Sequence, residues 1–322
     1  MKEFKITKND AGQRLDRFIS KAVPLLPSSL MQKYIRTKRI KINGKPAKRD
    51  DRLCPDDLLQ LYIGDEFFDK TAAAPDHYGK TGEKPQIIYE DDNILLVDKK
   101  PGVVCHGEKD EESGTLIYQV SAYLAQKGEW DPKNENSFAP ALCNRIDRNT
   151  GGIVIAAKTA EALRIINLKI KEREVDKRYL CAVLGRPAPE RGVLTGYIFK
   201  DAVKNRVYVR KNPVTGAKPA KLEYKTLVPG PELSLVECRL ITGRTHQIRA
   251  QMADFGHPVL GDGKYGSERR NKAYKERYQA LYSYKLAFFF KTESGVLEYL
   301  NGKSFTVGKI GFAEKYFNYD FR

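Results

Sequence analysis

Residues 192–241 repeat an alternation of apolar and polar side chains, with no helical stretch between the alternating segments. Segments 206–210 and 235–240 show the pattern most clearly. Alternation with a period of two is typical of strands that have one buried and one exposed face. Consecutive strands without intervening helices form an antiparallel or mixed sheet, which excludes a Rossmann-type domain. The sequence therefore predicts an α+β fold built on a mixed, mostly antiparallel sheet.

The chain of 322 residues carries a net charge of +16, from 57 Lys and Arg against 41 Asp and Glu. Such a surplus favours a polyanionic partner, either nucleic acid or an acidic membrane surface. The sequence contains no apolar run near the roughly 20 residues that span a bilayer, and residues 1–5 lack a hydrophobic signal core. We therefore expect a cytoplasmic protein that binds nucleic acid and no membrane.

The five cysteines and four histidines are widely scattered. They form neither a CxxC pair nor an HxxxH pair, which are the spacings typical of zinc and other metal sites. We expect no disulfide framework and no metal.

The positive charge is concentrated at the N-terminus, where residues 1–49 hold fourteen Lys and Arg against three Asp and Glu. Apolar spacing predicts helices over residues 14–22 and 28–35, and Asn43-Gly44 predicts a hairpin turn. A solvated basic arm is the alternative, but an arm would not need this periodicity. The module resembles the S4 RNA-binding domain, which we place at residues 1–64. Its RNA-binding side chains are then those of Arg36, Lys38 and Arg39.

Residues 65–85 lack periodicity and are rich in Ala, Gly and Pro, as linkers often are. We therefore expect a second, larger domain over residues 86–322.

In that second domain, residues 142–158 place one carboxylate, Asp147, between Arg145 and Arg148, ahead of two glycines and a short apolar run. The run has the length of a buried strand. The carboxylate has two interpretations. It is either a surface ion pair of little energetic value, or a group kept ionised by cations and directed at an anionic substrate.

Residues 242–258 form a second polar motif followed by a predicted helix. Thr245 is the expected N-cap, and Ile248, Met252 and Phe255 form a buried stripe. His246 and Arg249 share one face near the helix start, where the helix dipole favours anions. The motif is a plausible phosphate or carboxylate receptor, although a histidine in this position is more often structural.

Three separated motifs resemble those of one family, the RluA-type pseudouridine synthases. They are residues 145–152 around Asp147, residues 177–185 around Tyr179, and residues 242–249 ending at Arg249, a motif that residues 256–258 and Gly261-Asp262 continue. The family isomerises uridine in RNA to pseudouridine without a metal or a cofactor. An N-terminal S4-like module is a common appendage in it, so the resemblance covers nearly the whole chain.

The resemblance implies a role for each residue of these motifs. Asp147 would be the catalytic carboxylate, Tyr179 would stack on the target uracil and could serve as a base, and Arg249 would pair with Asp147. Arg145 would enter the RNA stack when the base is extruded. Three further side chains would bind RNA: Arg148, Arg244 and His246.

The expected substrate is structured RNA, most simply large-subunit (23S-type) ribosomal RNA, and the expected state is a monomer. The alternative is a non-catalytic RNA-binding or ribosome-assembly factor on the same fold. The sequence departs from the common family pattern at Asn144, Ile146, Gly151 and Tyr282-Ser283. We interpret these departures as a shift of subfamily or RNA target, because none of them changes Asp147, Tyr179 or Arg249.

Overall fold

The structure is a computed structural model that describes residues 1–68, 83–107 and 114–320. Its N-terminal unit is a small α+β module. The elements of this unit are β1 (Lys2–Lys5), α1 (Leu15–Ala22), α2 (Ser28–Arg36), β2 (Ile40–Ile42), β3 (Lys45–Pro46), β4 (Leu58–Leu61) and a 3-10 turn at Asp65–Phe67. The strands form one sheet in the order β1-β4-β2-β3. The two predicted helices and the predicted hairpin are confirmed.

The N-terminal unit has an apolar core of its own. Leu15, Phe18 and Ile19 of α1 are fully buried against the sheet, beside Leu59 of β4. The turn between β2 and β3 places Asn43 and Gly44 at φ values of +51° and +77°. Asparagine and glycine tolerate this left-handed conformation, which explains why they close the hairpin.

The larger unit contains the remaining elements. Its strands are β5 (Ile87–Glu90), β6 (Ile94–Lys99), β7 (Ala141–Leu142), β8 (Gly151–Ala157), β9 (Val175–Leu184), β10 (Arg191–Asp201), β11 (Arg206–Arg210), β12 (Lys218–Val228), β13 (Leu233–Leu240), β14 (Leu281–Phe288) and β15 (Ser304–Thr306). Its helices are α3 (Leu116–Gln126), α4 (Ala160–Lys171), α5 (Gln247–Asp254), α6 (Glu268–Tyr274), a 3-10 helix at Gly295–Leu300, and α7 (Gly311–Phe317).

These strands form one mixed sheet in the order β11-β10-β12-β13-β9-β14-β8-β6-β5, with β15 beside β14 and β7 beside β8. Four strands, β10 to β13, occupy the region where the sequence alternates, and each pairs antiparallel with its neighbours. The pairing of β14 with β8 is parallel. The predicted mixed, mostly antiparallel sheet is therefore confirmed.

Side-chain alternation along the central strands divides the core into two faces. On one face, Ile153 and Ile155 of β8 pack with Ile166 of α4. On the other face, Val154 of β8 packs with Val120 of α3. Helix α5 covers a third cluster around β9, through Ile248 and Met252, and the loop between β7 and β8 lies on the α3 and α5 side. The sheet thus holds Asp147 opposite the start of α5.

The predicted linker at residues 65–85 falls largely outside the described residues, so its boundaries remain a prediction. In the described part of the chain, no helix combines the length and the apolar character that crossing a membrane requires.

Candidate active site

The loop that carries Asp147 is fixed at both ends by its own polar side chains. The side-chain oxygen of Asn144 accepts a hydrogen bond from the backbone N–H of Ile155 at 2.8 Å. Thr150 is buried, its hydroxyl accepts a hydrogen bond from Gln279 at 2.7 Å, and its N–H donates to the carbonyl of Asp147 at 3.1 Å. The loop is therefore a defined structure rather than an open surface turn.

Lys99, at the end of β6, binds the loop through backbone carbonyl oxygens. Its ammonium donates to the carbonyl oxygens of Lys100, Val103 and Arg148 at 3.0, 2.7 and 2.9 Å. Burial lowers the pKa of Lys99 to about 8, although the negative charges of Asp147 and Asp98 oppose the shift. The backbone carbonyl of Arg148 also accepts the N–H of Gly102 at 2.9 Å. Arg148 thus anchors the loop through its backbone, while its side chain is exposed.

Arg249 connects Asp147 to a second, buried carboxylate. Its Nη1 donates to Oδ2 of Asp147 at 2.8 Å. Its Nε and Nη2 donate to Oδ2 and Oδ1 of Asp262 at 2.7 and 2.9 Å. Asp262 is fully buried and also accepts the backbone N–H groups of Lys264 and Tyr265 at 2.8 and 3.1 Å. The guanidinium is therefore held on two sides and presents its remaining edge to Asp147.

The electrostatics of this pair keep the arginine charged. Burial disfavours the charge of Arg249, but Asp262 and Asp147 raise its pKa above the ordinary value. Burial likewise pushes the pKa of Asp262 upward, and the guanidinium of Arg249 more than offsets this, so that the pKa of Asp262 lies below its usual value. The arrangement supplies Asp147 with a permanent, oriented cation.

His246 lies on the other side of Asp147, with its Nε2 4.0 Å from Oδ2. Its Nδ1 is 2.9 Å from the hydroxyl of Tyr265, which already accepts the N–H of Val207 at 2.9 Å. One hydrogen bond therefore joins the hydroxyl of Tyr265 to Nδ1, and Nε2 faces Asp147. Burial lowers the pKa of His246 below its ordinary value, against the opposing charge of Asp147.

The expectation that Thr245 caps the following helix is wrong. Helix α5 begins at Gln247, and His246 occupies the cap position at a left-handed φ of +53° without a capping side-chain bond. Gln247 holds the turn instead, because its Oε1 accepts from the N–H of Arg244 and the hydroxyl of Thr242 at 3.0 and 2.9 Å. The unusual backbone turns the imidazole of His246 towards Asp147.

Tyr179 lies on β9 and lines the same cleft, with most of its ring buried. Burial raises its pKa to about 12, and the hydroxyl of Ser283 nearby opposes the shift. Its hydroxyl is therefore protonated at neutral pH.

The cleft around these side chains has a volume of about 900 Å³. Of the predicted site residues, seven line it: Arg145, Asp147, Arg148, Tyr179, Arg244, His246 and Arg249. Nine Lys and Arg residues are among its described lining residues, against two carboxylates, those of Asp147 and Asp176. Asp176 is engaged by Arg178 and Arg239 at 3.0 and 2.5 Å. The cleft suits a polyanion, and Asp147 is the carboxylate in it that pairs with one arginine instead of two.

The other three predicted residues lie in the N-terminal unit and not in the cleft. Arg36 is in the last turn of α2, Lys38 follows at a φ of +61°, and the guanidinium of Arg39 lies 5.5 Å from the ring centroid of Tyr34. All three basic side chains are exposed. They form a second basic surface, separate from the cleft.

The sequence assigns no role to three residues of the site: Lys99, Asp262 and Tyr265. Lys99 stands at the end of an apolar strand, Asp262 belongs to the continuation of the arginine motif, and Tyr265 follows it closely. An ionisable residue directly after an apolar strand, and an acid shortly after an arginine motif, were the available indications.

The departures at Gly151 and Tyr282 compensate each other. A Cβ atom at Gly151 would lie 2.2 Å from the ring of Tyr282, so the large ring fits only because residue 151 has no side chain. The hydroxyl of Tyr282 donates to Asp98 at 2.7 Å. The two positions are therefore one packing solution on the side of the loop away from Asp147.

Comparisons with known proteins identify the family of the chain. Residues 93–254 match the RNA pseudouridylate synthase family, and residues 13–59 match the S4 domain. An uncharacterised RNA pseudouridine synthase of Mycoplasma genitalium is 33% identical over 89% of this chain and 88% of its own length. The ribosomal large subunit pseudouridine synthase C of Vibrio vulnificus is 31% identical over 85% of this chain and 82% of its own length.

Solved structures show the same fold. The human RNA pseudouridylate synthase domain containing 4 superposes with a TM-score of 0.54, at 22% identity, over 69% of this chain and 88% of its own. The human RNA pseudouridylate synthase domain containing 1 superposes with a TM-score of 0.52, at 21% identity, over 73% and 96%. The match to the family model and the identity with these relatives show that the chain belongs to the RNA pseudouridylate synthase family. It is an isomerase that acts on RNA and carries an N-terminal S4 domain.

Proposed function

We propose that this protein isomerises specific uridines to pseudouridine in structured RNA, with large-subunit ribosomal RNA as the target and Asp147 as the catalytic carboxylate. The observation that carries the proposal is the ion-pair chain from Asp147 through Arg249 to the buried Asp262, in a cleft with a surplus of cations. Relatives from Vibrio vulnificus and Vibrio parahaemolyticus that are named ribosomal large subunit pseudouridine synthases support the choice of RNA.

The reaction breaks the bond from uracil N1 to ribose C1′, rotates the base, and forms a bond from C5 to C1′. C5 then loses its proton and N1 takes one up, so that the product is an isomer of the substrate. Positive charge develops at the sugar when the first bond breaks. One carboxylate beside C1′ stabilises that charge or traps it covalently, as carboxylates do in glycosidases. Asp147 suffices because uracil is retained as the nucleophile, whereas a hydrolase would need a second carboxylate for acid catalysis.

Arg249 and His246 prepare Asp147 for this role. The guanidinium of Arg249 donates to Oδ2 from one side and orients the carboxylate. Because the guanidinium is already bound by Asp262, it needs little reorganisation during the reaction. Nε2 of His246 lies 4.0 Å from the same oxygen, where it can contact the carboxylate or a group of the ribose.

Three arginines of the cleft are assigned to RNA binding. Arg145 enters the base stack as the uridine leaves it, and Arg148 and Arg244 contact phosphates. Tyr179 stacks on the extruded uracil from the sheet side. In the S4 domain, which we assign to residues 1–64 ahead of a linker at 65–85 and a catalytic domain at 86–322, Arg36, Lys38 and Arg39 bind the flanking RNA. We further propose that the enzyme acts as a monomer without a metal or a cofactor.

The test is a map of pseudouridines in ribosomal RNA from cells that lack this gene and from the same cells complemented with either the wild type or Asp147→Asn. We expect one or more large-subunit positions to be lost on deletion and restored by the wild type alone. Equal restoration by Asp147→Asn would contradict the role of the carboxylate. A complete, unchanged map in deleted cells would favour the non-catalytic assembly factor.

A further inference from the structure

The S4 domain and the catalytic unit meet through a polar interface. The apolar core of the S4 domain is confined to residues between Phe4 and Phe68. The turn between β1 and α1, residues 7–13, faces the loop at residues 131–138 and the start of α4. Seven hydrogen bonds between described residues cross from one unit to the other: Asn9 to Glu135, Gln13 to Ser137, Asn136 to the carbonyl of Lys5, Asn136 to Asp10, Ser137 to Asp10, the N–H of Ala160 to Asn9, and Arg164 to the carbonyl of Ala11.

Asp10 is the centre of this interface and is fully buried. Its Oδ2 accepts from the N–H and hydroxyl of Thr7 at 3.1 and 2.9 Å and from Nδ2 of Asn136 at 2.8 Å. Its Oδ1 accepts from the hydroxyl of Ser137 at 2.7 Å. Burial of a carboxylate is unfavourable unless donors surround it. Half of these four donors belong to the catalytic unit, so Asp10 is satisfied only while the two units are docked.

The neighbouring hydrogen bonds fix the orientation of the S4 domain on the catalytic unit as well as its position. The second N–H of Asn136 donates to the carbonyl of Lys5 at 3.0 Å. Ser137 accepts from Gln13 at 2.8 Å while donating to Asp10. Because these amide and hydroxyl groups each serve two partners in defined directions, a rotated domain would break several of them together.

A second contact, on α4, prevents rotation about Asp10. Arg164 donates to the carbonyl of Ala11 at 2.9 Å, and the side-chain oxygen of Asn9 accepts the N–H of Ala160 at the start of the helix at 3.3 Å. Two separated points of attachment define the orientation of the S4 domain on the catalytic unit.

The interface adjoins the strands that carry the candidate active loop, but at their far end. The 131–138 loop leads into β7, and α4 follows β8, where Ala141 pairs with Ala157. The loop with Asp147 lies at the opposite end of β8, roughly 20 Å away for seven residues of strand. The interface therefore cannot touch the reacting atoms, but it shares a rigid strand with them.

We propose that Asp10 and its partners form a latch that holds the S4 domain in one orientation, so that the surface of Arg36, Lys38 and Arg39 selects uridines by their position relative to a structured RNA element. Asp10, Asn136 and Ser137 are then positioning residues that determine specificity. A loosely tethered S4 domain would add affinity for RNA, whereas a latched one also fixes which uridine reaches Asp147. This inference rests on the proposed function.

The test removes the latch from the catalytic side, because Asp10 also closes the turn of its own domain. The variant is the double substitution Asn136→Ala and Ser137→Ala. The matched control is Asn134→Ala in the same loop, since Asn134 is exposed and bonds only within the loop, to Asp131 at 2.7 Å. Each protein is given two RNAs that contain a uridine identified by the pseudouridine map. One is a short hairpin that presents this uridine, and the other is a long transcript of the surrounding ribosomal RNA domain. Small-angle X-ray scattering of the free proteins reports the arrangement of the domains.

We expect the double variant to raise KM for the long transcript by about tenfold or more, as loss of a second fixed binding site does, with kcat unchanged. We expect KM and kcat on the hairpin to stay at wild-type values, the scattering to show a larger maximum dimension, and Asn134→Ala to match the wild type throughout. An unchanged KM on the long transcript, or equal losses on both RNAs, would overturn the latch. A wild type inactive on both RNAs would refute the proposed function, and the scattering would still decide whether the latch exists.

Discussion

Replacing Arg249 with lysine keeps the positive charge but removes the forked geometry that the structure uses. Arg249 makes two hydrogen bonds to Asp262, at 2.7 and 2.9 Å, and one to Asp147 at 2.8 Å. A lysine has a single ammonium and cannot reproduce bidentate pairing with one carboxylate while reaching another. Arg249→Lys must therefore leave one of the two carboxylates without its cation.

The magnitude depends on which carboxylate is left. If the ammonium stays with Asp262, Asp147 loses a charge-assisted hydrogen bond worth about 1.5–3 kcal/mol, which slows the chemical step about 10- to 100-fold. If the ammonium moves to Asp147, the fully buried Asp262 is left unpaired, and the free energy of unfolding falls by about 3–5 kcal/mol. Either rate or stability must change.

The assay is single-turnover release of tritium from RNA labelled at C5 of uridine, with urea unfolding measured in parallel. The matched control is Arg186→Lys, because Arg186 also pairs with a carboxylate, that of Glu190 at 2.6 Å, but on the exposed surface and outside the cleft lining. We expect the control to stay within about threefold of the wild-type rate, since surface charge contacts are worth little. An Arg249→Lys variant with wild-type rate and stability would refute the role given to the fork.

Three further predictions concern the backbone and the titrating groups. Gly152→Ala should lower the free energy of unfolding by about 2 kcal/mol or more, because φ is +114° and the new Cβ would lie 2.2 Å from the backbone oxygen of Ser283. The control is Gly311→Ala, because Gly311 has open space around it, and equal urea midpoints for the two variants would contradict the prediction. Because burial raises the pKa of Tyr179 to about 12, the pH–rate profile should show no loss from its ionisation below about pH 11, and a kinetic pKa near 10 that disappears in Tyr179→Phe would contradict this. Burial lowers the pKa of His246 in the folded protein, so the unfolded chain binds a proton at a higher pH than the folded one. The free energy of unfolding should therefore fall as the pH drops below about 6.5. Calorimetry should show a smaller fall for His246→Gln, and identical curves for the two proteins would refute this prediction.

The sheet was predictable because strand alternation is a local property of the sequence. The segments at 206–210 and 235–240 became β11 and β13 at almost the same limits. The buried run after the glycines became β8 for the same reason. Strand order, including the parallel contact of β14 with β8, depends on packing between distant segments and was not readable from any one of them.

The site was predictable only where a motif resemblance marked it. Asp147 and Arg249 are 102 residues apart, and their pairing followed from the resemblance and not from spacing. Asp262 and Tyr265 lie in a Gly-rich turn, and the sequence does not show that this turn folds back on α5. That packing brings Asp262 against Arg249 and Tyr265 against His246. The predicted Thr245 cap does not form, because the side chain of Gln247 accepts from Thr242 and Arg244 and fixes the turn ahead of α5, which leaves His246 in the cap position.

The interface between the two units had no sequence pattern to predict it. Asn9, Asp10, Asn136 and Ser137 are polar residues in turns, where such residues are common for purely local reasons. Their burial appears only when the S4 domain is placed on the catalytic unit.

The most direct test of the account is the rate of tritium release by purified wild type and Asp147→Asn on the same ribosomal RNA transcript, with binding of that transcript measured for both proteins. We predict that the wild type releases tritium, that Asp147→Asn releases none above background, and that both bind the RNA with similar affinity. Wild-type release by Asp147→Asn would contradict the central claim that this carboxylate performs the isomerisation.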